Sequence, residues 1–427
     1  MALKLLAVGD LHLGRRPGGL PEDLRDAKSA RALGPAAALE RLVDAAIAEP
    51  VDAVVLAGDL VEDEHDFFEA YGDLFRAVER LVNAGIRVLG VAGNHDVQVL
   101  PRLADELSGF HLLGRGGEWE ATEIVGADDT GAVLHGWSFP RARVTTSPLT
   151  GQRFERDHRP HLGLLHCDRD QHGSHHAPVT TRELEAAGLD AWLLGHIHKP
   201  DPLTRERPSG YLGSVTALRR TETGPRGPWL YRIAATGIEA VEQWRLAPLR
   251  WEELEVDLTG LGEAAEAPTR VVRAIRERAE AIATSGPVPD VLGFSLQCSG
   301  RTSLAEEAGK VMEQEQTDDI PAAGMRCFAG RIRFDTLPEM DLGTLAEEKS
   351  PAGILARKLL ILDEPGHVEH RDLVERARRH LADHVTDLAW QPLDRGEPDD
   401  TEVIAWLRRA LAVSLDALQA QRNREAE

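Results

Sequence analysis

The sequence predicts an α/β fold through about residue 248, then a smaller α+β module and a helical C-terminal region. Three observations carry this. Short apolar runs alternate with amphipathic helical stripes as far as Gly210, the pattern then turns β-rich to Trp244, and from Ser350 onward it is helical. A chain of 427 residues is also too long for one ordinary core, so we expect boundaries at 1–248, 249–345 and 346–427.

The elements follow in order. Leu3–Val8, Ala53–Ala57, Ile86–Ala92, His161–His166 and Ala191–Leu194 are almost wholly apolar, as strands covered on both faces are. Between them, Ala36–Ala48 places Leu39, Leu42, Val43 and Ile47 on one helical face. Phe67–Ala84 does the same with Phe67, Tyr71, Leu74, Val78 and Leu81. Strands are expected next at Leu212–Leu218, Trp229–Ile233 and Ile238–Trp244, and the chain leaves the domain through the extended segment Trp251–Leu258. A helix at Thr269–Ala283 and strands at Val291–Gln297 and Met325–Phe334 form the smaller module. Thr401–Ala420 closes the chain as a helix capped by Asp399–Thr401, with Val403, Ile404, Leu407, Leu411, Leu415 and Leu418 as its stripe.

Composition narrows the class. Hydrophobic residues at 42% and charged residues at 28% are globular values, and no run approaches the ~18 apolar residues of a membrane span. The apolar start reaches Asp10 and His12 without a small-residue cleavage site, so it reads as a buried strand rather than a leader. Cys167, Cys298 and Cys327 are odd in number and far apart, which implies no disulfide framework and fits a cytoplasmic protein. A net charge of −22 argues against nucleic acid as a partner; residues 201–250, with 8 basic and 5 acidic side chains, are the local exception.

Five short segments end strands with metal-ligand chemistry: Gly9-Asp10-Leu11-His12, Gly58-Asp59, Gly93-Asn94-His95-Asp96, His166, and Gly195-His196-Ile197-His198. In D-x-H and H-x-H, alternate residues project to one side, so both can reach one ion. Neighbouring glycines let the backbone approach closely. An Asp/His/Asn set without thiolates suits Mn, Fe, Zn or Mg in a reactive centre rather than structural zinc. Each fragment alone is weak, and five in order after apolar runs are not.

This order resembles the signature of the calcineurin-like metallophosphoesterases. The resemblance implies a sandwich of two β-sheets flanked by helices and a centre of two divalent ions, Mn²⁺ foremost. It implies that Asp10, His12, Asp59 and His198 hold one ion, and that Asp59, Asn94, His166 and His196 hold the other, with Asp59 bridging. His95 would protonate the leaving oxygen, while Asp96 orients His95 or its loop. Within the superfamily, Ala177–His198, Tyr211–Ser214, Glu222–Gly227, Leu296–Thr302 and Ser350–Leu360 resemble the SbcD-like DNA exonucleases. That branch implies a DNA substrate, a homodimer and an SMC-like coiled-coil ATPase partner docked by C-terminal helices. One departure stands out: where the branch supplies a second catalytic histidine, this chain has Glu62, with His65 three residues on.

Tyr211, Ser214, Arg219 and Arg220 are the candidate substrate contacts, with Arg226 near them. His172, His175 and His176 read as a solvated loop at the rim, and Cys167 as packing. The leading function is a metal-dependent DNA nuclease in repair or end processing. The alternatives are a phosphodiesterase or phosphatase on a nucleotide or other small phosphoester, and a non-catalytic subunit that tethers DNA ends.

Overall fold

The computed structural model describes residues 2–62, 67–126, 130–171, 173–314, 317–336, 341–385 and 399–426. Two compact units emerge. Unit 1 comprises Met1–Val256, Ala265–Cys298 and Ala308–Arg333; unit 2 comprises Asp257–Ala264, Ser299–Glu307 and Phe334–Glu427. His65 and His172 lie outside the described residues.

In chain order the strands are β1 (Leu3–Val8), β2 (Ala53–Leu56), β3 (Arg87–Gly90), β4 (Phe110–Leu112), β5 (Glu120–Val125), β6 (Gly131–Trp137), β7 (His161–His166), β8 (Ala191–Gly195), β9 (Gly210–Tyr211), β10 (Trp229–Ala234), β11 (Gly237–Gln243), β12 (Leu249–Asp257), β13 (Val291–Ser299), β14 (Ile320–Ala322) and β15 (Met325–Phe334). One sheet runs β11–β10–β1–β2–β3–β4, a second β5–β6–β7–β8–β9, and a third β12–β13–β15–β14. In the first, β1 to β4 are parallel and β10 and β11 antiparallel; in the second, β6 to β9 are parallel. Most of the third sheet, which the sequence assigns to a separate module, groups with unit 1.

The apolar character of the strands has a direct cause. Leu3, Leu5 and Ala7 of β1 and Ala53 and Val55 of β2 pack against Leu162 and Leu164 of β7 and Ala191 and Leu193 of β8, so the first two sheets lie face to face. The alternate residues Leu6, Val8, Val54, Leu56 and Val88 face the opposite way. They meet α2 (Pro35–Ala48), α3 (Phe67–Asn83) and α4 (Leu100–Glu106), which follow the short α1 (Ala27–Leu33). The outer face of the second sheet buries Leu165, Trp192 and Leu194 against Leu184 of α5 (Thr181–Ala186). The result is the expected α/β architecture, two sheets flanked by helices.

Past the first two sheets come α6 (Glu266–Thr284) and α7 (Ala305–Gln314), and unit 2 is built chiefly from α8 (Leu342–Ala346), α9 (Pro351–Asp363), α10 (His370–Val385) and α11 (Asp400–Ala426). The apolar stripe of α11 is spent inside unit 2. Val403, Leu411 and Leu415 are buried with Ala356, Leu359 and Leu362 of α9, and Ile404, Leu407 and Leu418 are partly buried in the same cluster. Among the described residues, no helix is long and apolar enough to cross a membrane.

Two expectations change. Leu212–Leu218 is not a strand: only Gly210–Tyr211 pairs with β8, after which Gly213 turns through φ 76° and Ser214 N donates to the His198 carbonyl. This segment passes beneath the metal loops so closely that a Cβ on Gly9 would fall 2.0 Å from the Gly213 carbonyl oxygen. The hairpin β5–β6 was not anticipated, because β5 alternates half-exposed and exposed residues and carries no apolar run.

A buried histidine pair ties β6 to β7. His135 Nε2 lies 2.8 Å from His161 Nδ1, and His161 Nε2 lies 3.2 Å from Asp157 Oδ1. Burial first, then the neighbouring His161, pushes His135 down to about 4 from 6.5. Between those values the unfolded chain takes up a proton that the native ring refuses. Stability is therefore full above 6.5 and falls as pH drops towards 4. Urea melts of His135→Gln should show a flatter loss of stability between pH 7 and 4.5 than the parent protein; an unchanged slope would contradict a neutral buried ring.

Candidate metal centre

The five sequence segments sit at the C-terminal ends of five parallel strands drawn from both sheets. Asp10 and His12 follow β1, Asp59 follows β2, Asn94 and His95 follow β3, His166 ends β7, and His196 and His198 follow β8. Face-to-face packing brings these ends to one edge of the sandwich, where α/β sheets place their functional groups.

Of the four overlapping groups of potential ligands at this edge among the described residues, two consist wholly of the sequence candidates. Asp10, His12 and His198 make one, and Asp59, His166 and His196 the other, with the ligand atoms of each within 4.8 Å of one another. His12 Nε2 and His198 Nε2 face each other at 2.9 Å, and His196 Nδ1 lies 3.2 Å from His166 Nε2. Asn94 Oδ1 is 3.1 Å from His166 Nε2. Asp59 lies between the clusters, its Oδ2 3.2 Å from His166 Nε2 and 4.0 Å from His12 Nε2. All seven sequence candidates for metal binding are thus brought together.

The site is built for a cation. Asp10 and Asp59 are 0% and 2% exposed, and Asp10 Oδ2 is buried without a hydrogen-bond partner. Leaving a carboxylate oxygen so placed is costly unless a positive charge meets it. Burial pushes the Asp59 carboxyl up, but the His166, His12 and His95 rings outweigh this and hold it well below the usual range. Burial likewise opposes a charge on His166, yet Asp59 and Asp10 lift it to about 9. Converging imidazole lone pairs, an orphaned carboxylate oxygen and a shared aspartate fit divalent ions, and Asp10, His12, Asp59, Asn94, His166, His196 and His198 would hold them.

Each imidazole is aimed by a partner on its far nitrogen. His166 Nδ1 donates to the Ala57 carbonyl at 3.0 Å, leaving Nε2 for the centre. His198 Nδ1 meets Glu222 Oε1 at 2.8 Å in a hydrogen bond, while His12 Nδ1 lies 2.7 Å from Glu62 Oε2 as an ion-pair contact without hydrogen-bond geometry. His196 is reversed: its Nε2 faces Asp168 Oδ1 at 3.1 Å, so Nδ1 points inward. Contact with His12 holds the Glu62 carboxyl down at about 2, against the opposing effect of partial burial. Carboxylates placed this way fix ring orientation and raise ligand basicity. Sequence reasoning gave none of Glu62, Asp168 and Glu222 this role. Glu62 and Asp168 follow a ligand by three and two residues, a signal present but weak; Glu222, 24 residues beyond His198, has no local signal.

Three of the six non-glycine residues with positive φ among the described residues are ligand candidates. His12, Asp59 and His196 have φ of 52°, 50° and 101°, conformations that cost non-glycine residues about 1–3 kcal/mol each. The loops hold one another there: Leu11 and His12 amides donate to the Asp59 carbonyl at 3.1 and 2.9 Å. Buried Asp96 accepts from the amides of Leu60 (2.6 Å) and Gly93 (2.7 Å), tying the loop of Asp59 to that of Asn94. Burial and then the nearby Asp59 lift Asp96 to about 7. Gly93 admits no side chain, since a Cβ would fall 2.2 Å from Asp59 Oδ1.

His95 stands apart from the ligands. Its amide donates to Asp59 Oδ1 at 3.0 Å, its exposed ring lies 5.2 Å from that of His12, and its Nδ1 meets the Glu62 carbonyl at 2.9 Å. Nε2 is therefore the nitrogen left for a substrate.

The candidate substrate contacts separate into two pairs. Tyr211 is 5% exposed; its hydroxyl accepts from the Arg169 amide at 2.6 Å and donates to the Cys167 carbonyl at 3.2 Å. Ser214 is 2% exposed and accepts from Arg226 at 2.9 Å. Both hydroxyls are committed within the core, so they support the site from below rather than facing a substrate. Arg226 is buried as well and donates to the His198 carbonyl, while Arg219 and Arg220 are exposed. Cys167 is fully buried, and burial pushes its thiol up. His176 reaches the rim: its ring is 4.9 Å from that of His196 and its Nδ1 3.7 Å from Asp168 Oδ2.

Comparison with known proteins agrees with this geometry. Residues 3–200, which include all seven candidate ligands, match the family model of the calcineurin-like phosphoesterases. The chain is 30% identical over 243 residues to the uncharacterized metallophosphoesterase YhaO of Bacillus subtilis, a stretch covering 52% of this chain and 55% of that protein. It is 28% identical to the DNA double-strand break repair protein Mre11 of Aeropyrum pernix, over 64% of this chain and 68% of that one. Identity to the Mre11 protein of Haloferax volcanii is also 28%, covering 60% and 55%.

Glu222→Gln should weaken Mn²⁺ binding by about 10–100-fold, the usual cost of losing a carboxylate behind a ligating histidine. Calorimetric titration of the full chain measures it, with a thermal melt of the metal-free variant to show that the fold survives. Parental affinity in a folded variant would show that Glu222 does not aim His198.

Proposed function

With residues 3–200 forming a calcineurin-like phosphoesterase domain, a hydrolase of phosphoesters, we propose that this chain is a metal-dependent DNA nuclease acting on linear DNA in repair or end processing. The observation that supports this reading is the pair of ligand clusters with Asp59 between them, joined to similarity with a DNA double-strand break repair protein over 64% of the chain. The similarity therefore runs past the phosphoesterase domain. The SbcD-like resemblance adds a homodimer and an SMC-like ATPase as proposed partners. Because the stripe of α11 is packed inside unit 2, that stripe is not the docking surface we propose for the ATPase.

Bound in the two clusters, divalent ions supply Lewis-acid stabilisation of a phosphoryl oxygen and of the leaving oxygen. The chain's own residues do the rest. Asp59 holds the two clusters in register, and Glu62, Glu222 and Asp168 keep the rings from turning. His95, steadied through Nδ1 by the Glu62 carbonyl, presents Nε2 as the proton donor to the departing oxygen. Glu62 occupies the place of a second catalytic histidine in the SbcD-like branch. Here it contacts His12 instead, and His95 is the proposed acid among the described residues.

The test compares linear duplex and single-stranded DNA with bis(p-nitrophenyl) phosphate, all with Mn²⁺. Degradation of DNA supports the nuclease; turnover confined to the small diester would favour a small-molecule phosphodiesterase, which the net charge of −22 would suit. Asp59→Asn should lose hydrolysis together with bound metal. His95→Ala should keep its metal content by elemental analysis and lose rate by about 10²–10⁴-fold. Loss of metal in His95→Ala would overturn its role as acid.

A further inference from the structure

Beside the metal centre, unit 1 has a concavity of about 370 Å³ whose charged lining is mostly basic although the chain as a whole is acidic. Four guanidinium groups, Arg15, Arg16, Arg31 and Arg76, line it with a single carboxylate, Asp73. Asp73 is the organising group: its side chain is 9% exposed and ion-pairs with Arg31 of α1 and Arg76 of α3, fixing both on the wall. Arg15 reaches the Glu62 carboxylate at 3.4 Å, the same group that aims His12. Even with Glu62 counted against it, positive charge is in excess. The fourteen-residue helix α2 also begins on this wall, at Gly34 and Pro35, with no side chain capping its first turn. The N-terminal end of its dipole adds positive potential there, partly offset by the C-terminus of α1, which ends at the same Gly34.

We propose that this concavity binds a phosphate group, namely a phosphate of the substrate other than the one cleaved. Planar guanidiniums recognise phosphate oxygens in pairs, and a wall contiguous with the centre through Arg15 and Glu62 sets the distance from the reacting group. The substrate-subsite form of the proposal rests on the nuclease reading; the affinity for phosphate does not. A neighbouring phosphodiester and free phosphate offer the same chemistry, and the experiment separates them.

The probe for the pocket is inorganic pyrophosphate, titrated calorimetrically into the full-length, metal-free protein. The parent should bind it, and Arg16→Gln/Arg31→Gln should bind at least about tenfold more weakly, the loss expected for charged hydrogen bonds. The exposed positions of both arginines and the retained Arg76–Asp73 pair keep the fold in place, checked by a thermal melt. In the second arm, KM is measured with Mn²⁺ for a single-stranded decanucleotide and for bis(p-nitrophenyl) phosphate. A subsite requires KM to rise in the double variant for the decanucleotide alone. Loss of pyrophosphate binding with no DNA hydrolysis by the parent would retire the nuclease and leave a site for free phosphate. Undiminished pyrophosphate binding in the variant, or none in the parent, would overturn the pocket while leaving the nuclease reading untouched.

Discussion

The structure depends on the electrostatic demand of Asp10 and Asp59, two carboxylates placed where two sheets meet and water is shut out. Neither can sit there unpaired at the cost usual for a buried charge, and four imidazoles converge on them from the ends of β1, β7 and β8. Asp59 and Asp10 lift the His166 ring to about 9 against the effect of burial, so that a proton there answers part of the demand in the metal-free protein. A cation serves the same purpose with more ligands at once. Asp59 matters most because it borders both clusters, and because its Oδ1 also accepts the amide of His95.

Much of the surrounding architecture answers this demand. Ligand residues in strained backbone persist only where neighbours over-determine them, and here the loops are tied in pairs. The β1 loop hangs on the Asp59 carbonyl, Asp96 joins the β2 and β3 loops, and the segment through Gly213 closes under the β1 and β8 loops. The carboxylates of Glu62, Asp168 and Glu222 then set which nitrogen each ring shows to the centre. That His196 alone shows Nδ1 follows from where Asp168 sits.

How much of this the sequence shows follows from the range of each interaction. Strand periodicity and D-x-H or H-x-H spacing are local, so β1, β2, β3, β7 and β8 and the residues at their ends were legible at once. The alternation of Leu5 and Leu6 between two cores is legible only as continuous apolarity, since both faces are covered. What could not be read is side-chain partnership across long separations: Glu222 with His198, Glu62 with His12, or Asp73 with both Arg31 and Arg76. Tyr211 and Ser214 misled for the same reason. Polar residues in a glycine loop beside a ligand resemble substrate contacts until the structure shows their hydroxyls bonded below the site. β5 escaped notice because an edge strand with one wet face carries half the apolar signal of a central one.

The claim that two divalent ions share Asp59 is tested most directly by electron paramagnetic resonance of the full-length, metal-free protein titrated with Mn²⁺. Adjacent ions bridged by one carboxylate are magnetically coupled, so binding should saturate at two ions per chain, with the signal of isolated Mn²⁺ giving way to a coupled spectrum as the second ion enters. Saturation at one ion per chain, or two ions whose isolated signals simply add, would contradict a shared centre.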